Sequence, residues 1–228
     1  MSPRSFVRGI FLGMALACAA ARGQDNPAQL FKTLDDQASY AIGLDVGRSL
    51  LADAPELNPD LVARGVIDAM RKARPLLSDA HLHEVMDLFA AHKAGPAAEK
   101  TLKEGQAFLA ANRAKPGVQT TESGLQYIVL KAGAGKSPQP ADIVSVHYQG
   151  TLIDGKVFDS SIERKKPAEF PVNRIIPGWA EALLKMKVGD KWRLFLPARL
   201  AYGPQGSPDS KIPPFSVLVF EVELLEVK

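Results

Sequence analysis

The sequence is short of the residues that carry most enzyme chemistry. Its 228 residues include one cysteine, Cys18, and four histidines. It shows no nucleophile paired with a base, no cluster of metal ligands and no glycine-rich phosphate loop, so we expect neither a metal nor a cofactor. Acidic and basic residues are interspersed at a formal net charge of +3, without the dense basic stripe that nucleic acids require. Nucleic acid is therefore not an expected partner.

The first residues predict the compartment. Arg4 and Arg8 precede an apolar run over residues 9–21 that is too short to span a bilayer, and small residues follow it. This pattern is typical of a secretory signal peptide, here residues 1–23. A lipoprotein signal acylated at Cys18 is the alternative, with a poorer local match. We expect a periplasmic or outer-membrane-associated protein.

From residue 29 to about residue 114, apolar residues recur at the spacing of an α-helix. The helix boundaries are marked by the usual residues. Asn58 precedes Pro59 as an N-cap followed by proline in the first turn, Pro75 is expected to close that helix, and Ser78 can cap the next. Residues 24–115 are therefore predicted to form an all-helical domain.

The period changes after Gly117. Four stretches rich in β-branched and aromatic residues predict strands: LQYIVL, IVSVHYQG, KWRLFLP and VLVFEVELLEV. Asp154 and Gly155 predict a two-residue hairpin turn. One short amphipathic helix, from about Pro177 to Lys185, interrupts the strands. Residues 116–228 are therefore predicted to form an α+β module, a sheet covered on its concave face by one helix.

Gly43 and Gly47 lie four residues apart in the first predicted helix. Each glycine could simply lower helix propensity, by about 1 kcal/mol, and allow a local bend. Alternatively, the pair marks a face where two helices cross closely, within one chain or between two chains.

Several long blocks resemble a known family. They are VHYQGTLIDGKVFDSS, FPVNRIIPGWAEALLKMKVGDKW, LAYG and LVFEVELLEV in the second half, and QASYAIGLDVGRSL, RPLLSDAHLHEVM and GQAFLAANRAKPGVQTTESGLQY in the first. Together they resemble the FKBP-type peptidyl-prolyl cis-trans isomerases of the Mip and FkpA branch. The resemblance covers nearly all of the chain after residue 23.

The resemblance implies an architecture. The helical half is similar to a dimerisation domain, so a homodimer through the N-terminal helices is implied, and the second half is similar to an FKBP-like antiparallel sheet wrapped around one short helix. In the related proteins a long helix joins the two. Gly95 and Pro96 interrupt that helix here, so we expect a shorter or bent connection.

The resemblance also implies a pocket. Its implied catalytic residues are Asp159, Tyr202 and Tyr148, and its implied substrate-binding residues are Phe158, Arg164, Phe170, Ile175, Ile176, Trp179, Ile212 and Phe220. Two positions depart from the single-domain members of the family. Ala168 replaces a phenylalanine, which opens one side of the pocket, and the loop after Tyr202 is one residue longer, with Ser207 where a histidine often lies.

This pocket implies a reaction in which no covalent bond is made or broken. An open, dry hollow with Trp179 as its floor would favour the twisted form of an X-Pro amide, helped by the Tyr202 hydroxyl and the N–H of Ile176. Asp159 either orients Tyr148 and pairs with Arg164 or faces the substrate carbonyl directly. We expect an isomerase that acts on proline-containing unfolded or partly folded polypeptides during folding of exported proteins and is bound by the family's macrolide inhibitors. A dimeric chaperone with secondary isomerase activity is the alternative.

Overall fold

A computed structural model of the chain describes residues 30–228. The predicted signal peptide and Cys18 lie outside this range. The chain divides into two compact units, one ending at Pro75 and the other comprising Leu76–Lys228. No helix between residues 30 and 228 is both long enough and apolar enough to cross a membrane.

The described part of the first unit contains two helices, α1 (Leu34–Asp53) and α2 (Pro59–Met70). Thr33 caps α1 in a reciprocal capping box with Asp36. The Asn58 side chain accepts hydrogen bonds from the first turn of α2, which confirms the predicted N-cap. The helix ends at Met70, however, five residues before the proline at position 75 that was expected to close it.

The apolar residues of α1 and α2 are exposed. Neither helix has a buried residue. The large exposed side chains include Leu34, Tyr40, Ile42, Leu44, Val46, Leu51, Leu61, Val66, Ile67 and Met70. Most helical stability in proteins comes from tertiary packing of apolar side chains, so we expect these exposed residues to be covered.

Gly43 and Gly47 lie on open surface of α1. A Cβ atom built at either glycine has no neighbouring atom within 4 Å among the described residues. A close helix crossing within one chain is therefore absent at this place in residues 30–228. Of the two crossings considered from the sequence, the one between chains remains a prediction.

The second unit begins with a pair of helices, α3 (Asp79–Ala94) and α4 (Pro96–Arg113). The Ser78 hydroxyl caps α3, as the sequence predicts. Gly95 separates the two helices with φ = +100°, a left-handed backbone conformation that favours glycine. The predicted interruption at Gly95 and Pro96 is therefore confirmed.

Seven strands form one antiparallel sheet. Their bounds are β1 (Gln119–Thr120), β2 (Gln126–Lys131), β3 (Ile143–Leu152), β4 (Val157–Ser160), β5 (Ala168–Pro171), β6 (Lys191–Leu196) and β7 (Leu218–Val227). The strand order is β1-β2-β6-β7-β3-β4, and β5 pairs with β3 beside β4. Asp154 and Gly155 lie in the turn between β3 and β4, but the connection covers residues 153–156 and is longer than the predicted two-residue turn.

The helix α5 (Pro177–Lys185) packs against one face of this sheet, with the bounds that the sequence predicts. Alternate residues of β3, β6 and β7 face α5 and are buried, including Tyr148, Leu194 and Phe220. The expected α+β architecture, a helical region followed by an antiparallel sheet wrapped around one short helix, is confirmed.

The helix α4 is packed against the sheet as well. Leu102 contacts a small apolar cluster that includes Phe215, and the Phe108 ring lies 6.0 Å from the Phe195 ring. The buried amides of Asn112 and Gln126 are hydrogen bonded at 2.9 Å. The domain boundary predicted at residue 115 marks the change from helical to strand periodicity. The second compact unit begins before this boundary because α4 is part of its core.

We predict that Leu102→Ala lowers the free energy of unfolding of this unit by about 2 to 4 kcal/mol, because it leaves a cavity in the cluster that joins α4 to α3 and to Phe215. Leu102 is 6% exposed, whereas Leu184 on α5 is 40% exposed and serves as the matched control. Leu184→Ala should cost about 1 kcal/mol or less. Urea unfolding followed by near-ultraviolet circular dichroism measures both, and equal losses would show that α4 is not part of the packed unit.

Candidate active site

Four aromatic rings from four elements meet beside α5. Trp179 lies on α5, and its ring is 5.1 Å from that of Tyr148, 5.9 Å from that of Phe170 and 5.2 Å from that of Phe220. All three contacts are edge-to-face, the favoured geometry for aromatic pairs. The alternation of side chains along β3, β5 and β7 places these rings on the same face of the sheet.

Trp179 is more enclosed than the sequence predicts. An open hollow above its indole was expected, yet only 4% of the residue is exposed. The reason is the edge-to-face packing of Tyr148, Phe170 and Phe220 against the indole. The accessible part of the site is the surrounding rim, where Tyr202 is 40% exposed.

Gly150 makes this arrangement possible, although it is not among the site residues predicted from the sequence. It pairs with Phe220 across β3 and β7. A Cβ atom at this position would lie 2.6 Å from the Phe158 ring and 2.7 Å from the Phe220 ring. The two rings, 5.5 Å apart and perpendicular, therefore use the space that a side chain would take. A glycine inside a predicted strand was the available signal.

A polar network lies at one edge of the aromatic cluster. The Tyr148 hydroxyl donates a hydrogen bond to Asp159, and Arg164 forms an ion pair with the same carboxylate. Arg164 also donates to the Tyr148 hydroxyl at 2.9 Å. Each of the three side chains thus contacts the other two. Of the two arrangements considered for Asp159, the structure contains the one in which it orients Tyr148 and pairs with Arg164.

The network sets the charge of Asp159. Partial burial alone would raise its pKa, but the hydrogen bonds from Tyr148 and Arg164 outweigh burial and lower the pKa of Asp159 below its ordinary value. Burial raises the pKa of the Tyr202 hydroxyl, and the nearby Asp159 carboxylate raises it further. At neutral pH, Asp159 is therefore an anion and Tyr202 a neutral hydrogen-bond donor.

Ser161 fixes the backbone of Tyr148, a role that is not predicted from the sequence. Its buried hydroxyl accepts a hydrogen bond from the Tyr148 N–H at 2.8 Å and lies 3.1 Å from Nδ1 of His147. The Ser161 N–H donates to the Tyr148 carbonyl at 3.0 Å. Nothing in the residue types signals this contact, because it joins segments that are distant in sequence.

The structure brings most of the implied pocket residues together. Tyr148, Trp179, Ile212 and Phe220 belong to one buried cluster, and a half-buried group packs against it: Phe158, Ala168, Phe170, Ile175 and Ile176. Asp159, Arg164 and Tyr202 are at the rim. The longer loop after Tyr202 is closed by a pair of backbone hydrogen bonds between Ser207 and Ile212.

Within residues 30–228, no group of three or more His, Cys, Asp or Glu side chains is arranged to hold a metal ion. The aromatic floor and the polar rim together can enclose an apolar ring and offer a hydroxyl donor beside it. They supply no side chain positioned as a nucleophile among the residues gathered at the site. Such a surface suits recognition of a proline ring without covalent chemistry.

Sequence comparison agrees with this class of site. Residues 135–225 match the profile of the FKBP-type peptidyl-prolyl cis-trans isomerase, and residues 35–129 match the domain amino terminal to FKBP-type peptidyl-prolyl isomerase. The chain belongs to the FKBP-type peptidyl-prolyl cis-trans isomerase family.

Similar proteins extend over most of the chain. The Outer membrane protein MIP of Legionella longbeachae is 41% identical over 229 residues, which cover 97% of each chain. The FKBP-type 22 kDa peptidyl-prolyl cis-trans isomerase of Escherichia coli K12 is 48% identical over 86% of this chain and 97% of its own. The crystal structure of FkpA from Escherichia coli covers 87% of this chain and 98% of its own at 37% identity, with a TM-score of 0.54.

We predict that the network contributes stability that depends on pH. The folded pKa of Asp159 is lowered, so its contribution is complete above the ordinary carboxyl pKa of about 3.9 and is lost as the pH falls through the folded value. The stability difference between wild type and Asp159→Asn should therefore be constant from about pH 5 to about pH 8 and shrink on further acidification.

Urea unfolding at a series of pH values measures this difference. Asp209→Asn, which removes a carboxylate from the loop between Tyr202 and Ile212, is the control for loss of charge near the site. A difference for Asp159→Asn that does not change below about pH 4 would contradict the prediction.

Proposed function

We propose that this protein accelerates the cis-trans isomerisation of X-Pro peptide bonds in polypeptide substrates. The observation that carries the proposal is the gathering of Tyr148, Phe170, Trp179 and Phe220 into one aromatic cluster in the unit that also holds Tyr202, which is 40% exposed. The membership of the chain in the FKBP-type family agrees with it. Folding of exported proteins is the setting in which we place this activity.

The reaction requires rotation and no exchange of covalent bonds. Conjugation resists rotation about a peptide bond with a barrier of about 18 to 20 kcal/mol. An X-Pro bond isomerises in tens to hundreds of seconds without a catalyst. The twisted amide has lost conjugation and is less polar than the planar form, so removal of water disfavours the planar form more. An apolar aromatic site can act in this way because it binds the twisted state selectively.

Residue roles follow from the geometry. The proline ring would contact Trp179, and the edge-packed rings around the indole would shift to admit it. The Tyr202 hydroxyl would donate to the substrate carbonyl as it rotates. The N–H of Ile176 precedes the first turn of α5, outside the helical hydrogen-bond ladder, and would bind the substrate main chain. Asp159 would act as a positioning residue that holds Tyr148 and Arg164 in place.

We predict that Tyr202→Phe lowers kcat/KM for a short proline peptide by about fivefold, the effect of losing a hydrogen bond worth about 1 kcal/mol in the transition state. Tyr127→Phe is the matched control, because its hydroxyl bonds Gln119 and its ring stacks on Trp192, outside the site. We expect Asp159→Leu to lower turnover several-fold through loss of the Tyr148 and Arg164 contacts.

A protease-free isomerisation assay measures these variants, and circular dichroism confirms that each is folded. Wild-type turnover in folded Tyr202→Phe would remove its hydroxyl from the mechanism. A loss of equal size in Tyr127→Phe would show that the effect is not specific to the site.

We further propose that the protein is a homodimer through α1 and α2. The exposed apolar residues of these helices support the proposal, because two chains could cover each other's faces. Gly43 and Gly47 would then allow a close crossing between chains. A two-fold symmetric dimer of this kind is the commonest closed assembly.

The dimer leads to a separate prediction. Gly47→Leu should shift the protein towards monomers, because the added side chain has open space within one chain but would separate two crossing helices. Ala52→Leu adds a similar volume on the opposite side of α1 and should have less effect. Sedimentation velocity measures both. A monomeric wild type, or a dimer unchanged by Gly47→Leu, would contradict the proposed crossing.

We also propose a periplasmic or outer-membrane-associated location and binding of the macrolide inhibitors of the family. The signal-like pattern in the first 23 residues supports the location, and the similarity to the Outer membrane protein MIP agrees with it. The apolar cluster around Trp179 supports inhibitor binding, since such ligands occupy apolar pockets with few polar contacts.

A further inference from the structure

A groove lies in the same compact unit as the site, between α3, α4 and the loops at one end of the sheet. Its volume is about 740 Å³, within the range of ligand pockets. Its floor is apolar and includes Leu102, Leu109, Phe215 and Val217. The N-terminal half of α3 forms one wall. We refer to it as the acid-walled groove.

The charge of the groove is unbalanced. Four carboxylates line it, those of Asp79, Glu84, Asp87 and Glu122, against the guanidinium of Arg199 and the imidazole of His83. Arg199 donates a hydrogen bond to the Ser123 carbonyl, and Glu84 lies 3.4 Å from His81. The excess of acidic groups beside an apolar floor is complementary to a ligand that is both apolar and cationic.

Asp87 is the most enclosed of the acids. Burial raises its pKa, and the nearby Arg199 and His83 oppose that shift only in part. A cation placed in the groove would compensate for the lost hydration of this carboxylate. Because burial already disfavours the charged form of Asp87, its replacement by the neutral side chain in Asp87→Asn should leave the fold intact.

The groove lies near the candidate active site. Leu200 lines the groove and also packs against the buried cluster that contains Trp179. Tyr202, at the rim of the site, is two residues further along, so the two Cα atoms are at most about 7 Å apart. The helix α3 also lies against the turn Gly203–Gln205 that follows Tyr202. A substrate chain extending past Tyr202 would therefore need only a few residues to reach the groove.

The orientation of α3 distinguishes between two occupants. Its groove side carries Asp79, His83 and Asp87. Leu82 and Met86 are exposed and do not line the groove. A helix from a second copy of the chain would be expected on the apolar side of α3, whereas an extended polypeptide with basic residues suits the acidic side.

We propose that the acid-walled groove binds an apolar segment of the client polypeptide that carries lysine or arginine and flanks the proline at Trp179. The proposal rests on the proposed isomerase function and extends it to a preference among clients. The groove then retains long clients, while short proline peptides engage the aromatic site alone.

The test uses the purified full-length protein and two long peptides that share one proline and the same apolar flank. One peptide carries two lysines in the flank, and the other carries two glutamates. The double variant Glu84→Gln/Asp87→Asn should lower kcat/KM and affinity for the lysine peptide by about fivefold, as expected for loss of a partly buried charge pair. It should leave a short proline peptide unaffected and should not lower the affinity for the glutamate peptide, because it removes negative charge that repels glutamate.

The control variant is Glu104→Gln/Glu226→Gln, which removes two carboxylates that do not line the groove. It should behave as wild type with all three peptides. Calorimetric titration gives affinities independently of turnover. An absence of turnover by the wild type on the short peptide would defeat the isomerase function, whereas unchanged affinity of the groove variant for the lysine peptide would overturn the groove proposal alone.

Photo-crosslinking provides a second measurement. A photoreactive residue in place of Gln106, which lines the groove, should label the lysine peptide, and one in place of Glu104 should not. Crosslinking from position 106 to a second copy of the protein, or a change of oligomeric state in the double variant, would identify a different occupant and overturn the proposal.

Discussion

The pairing of β7 with both β3 and β6 is the constraint on which the site depends. This pairing fixes the register in which Phe220 stands opposite Gly150 on β3 and opposite Leu194 on β6. A shift by one residue would turn every buried side chain of β7 to the opposite face. The aromatic enclosure of Trp179 is thus a consequence of strand register, and the ring contacts with Tyr148 and Phe220 follow from it.

The active site combines two environments at a short distance. Around Trp179 the side chains are aromatic and buried or half-buried, whereas Asp159 and Arg164 form a charged pair at the rim. The hydrogen bonds within the network keep Asp159 ionised although it is partly buried. The same contacts hold Tyr148, whose ring is part of the apolar floor. Through this one tyrosine, the polar rim determines the shape of the apolar surface.

The sequence predicts local structure in this chain better than contacts between distant segments. The caps at Asn58 and Ser78, the break at Gly95 and the helix beginning at Pro177 depend on neighbouring residues, and the structure confirms them. The family resemblance supplied the pocket residues, and the structure gathers most of them. The packing of α4 on the sheet was not predicted, because three of its four buried residues, Ala98, Gly105 and Asn112, are small or polar and resemble those of an exposed helix. The closure over Trp179 depends on ring orientations that sequence patterns do not contain.

The positions of the two tryptophans have a practical consequence. Trp179 and Trp192 are the only tryptophans in the chain, and both are buried in the unit that begins at Leu76. Trp192 stacks on Tyr127 at 4.4 Å, on the same sheet as the site. Intrinsic tryptophan fluorescence therefore reports melting of the isomerase unit and not of α1 and α2. An emission curve compared with helical content in the far ultraviolet would show whether the two units unfold together.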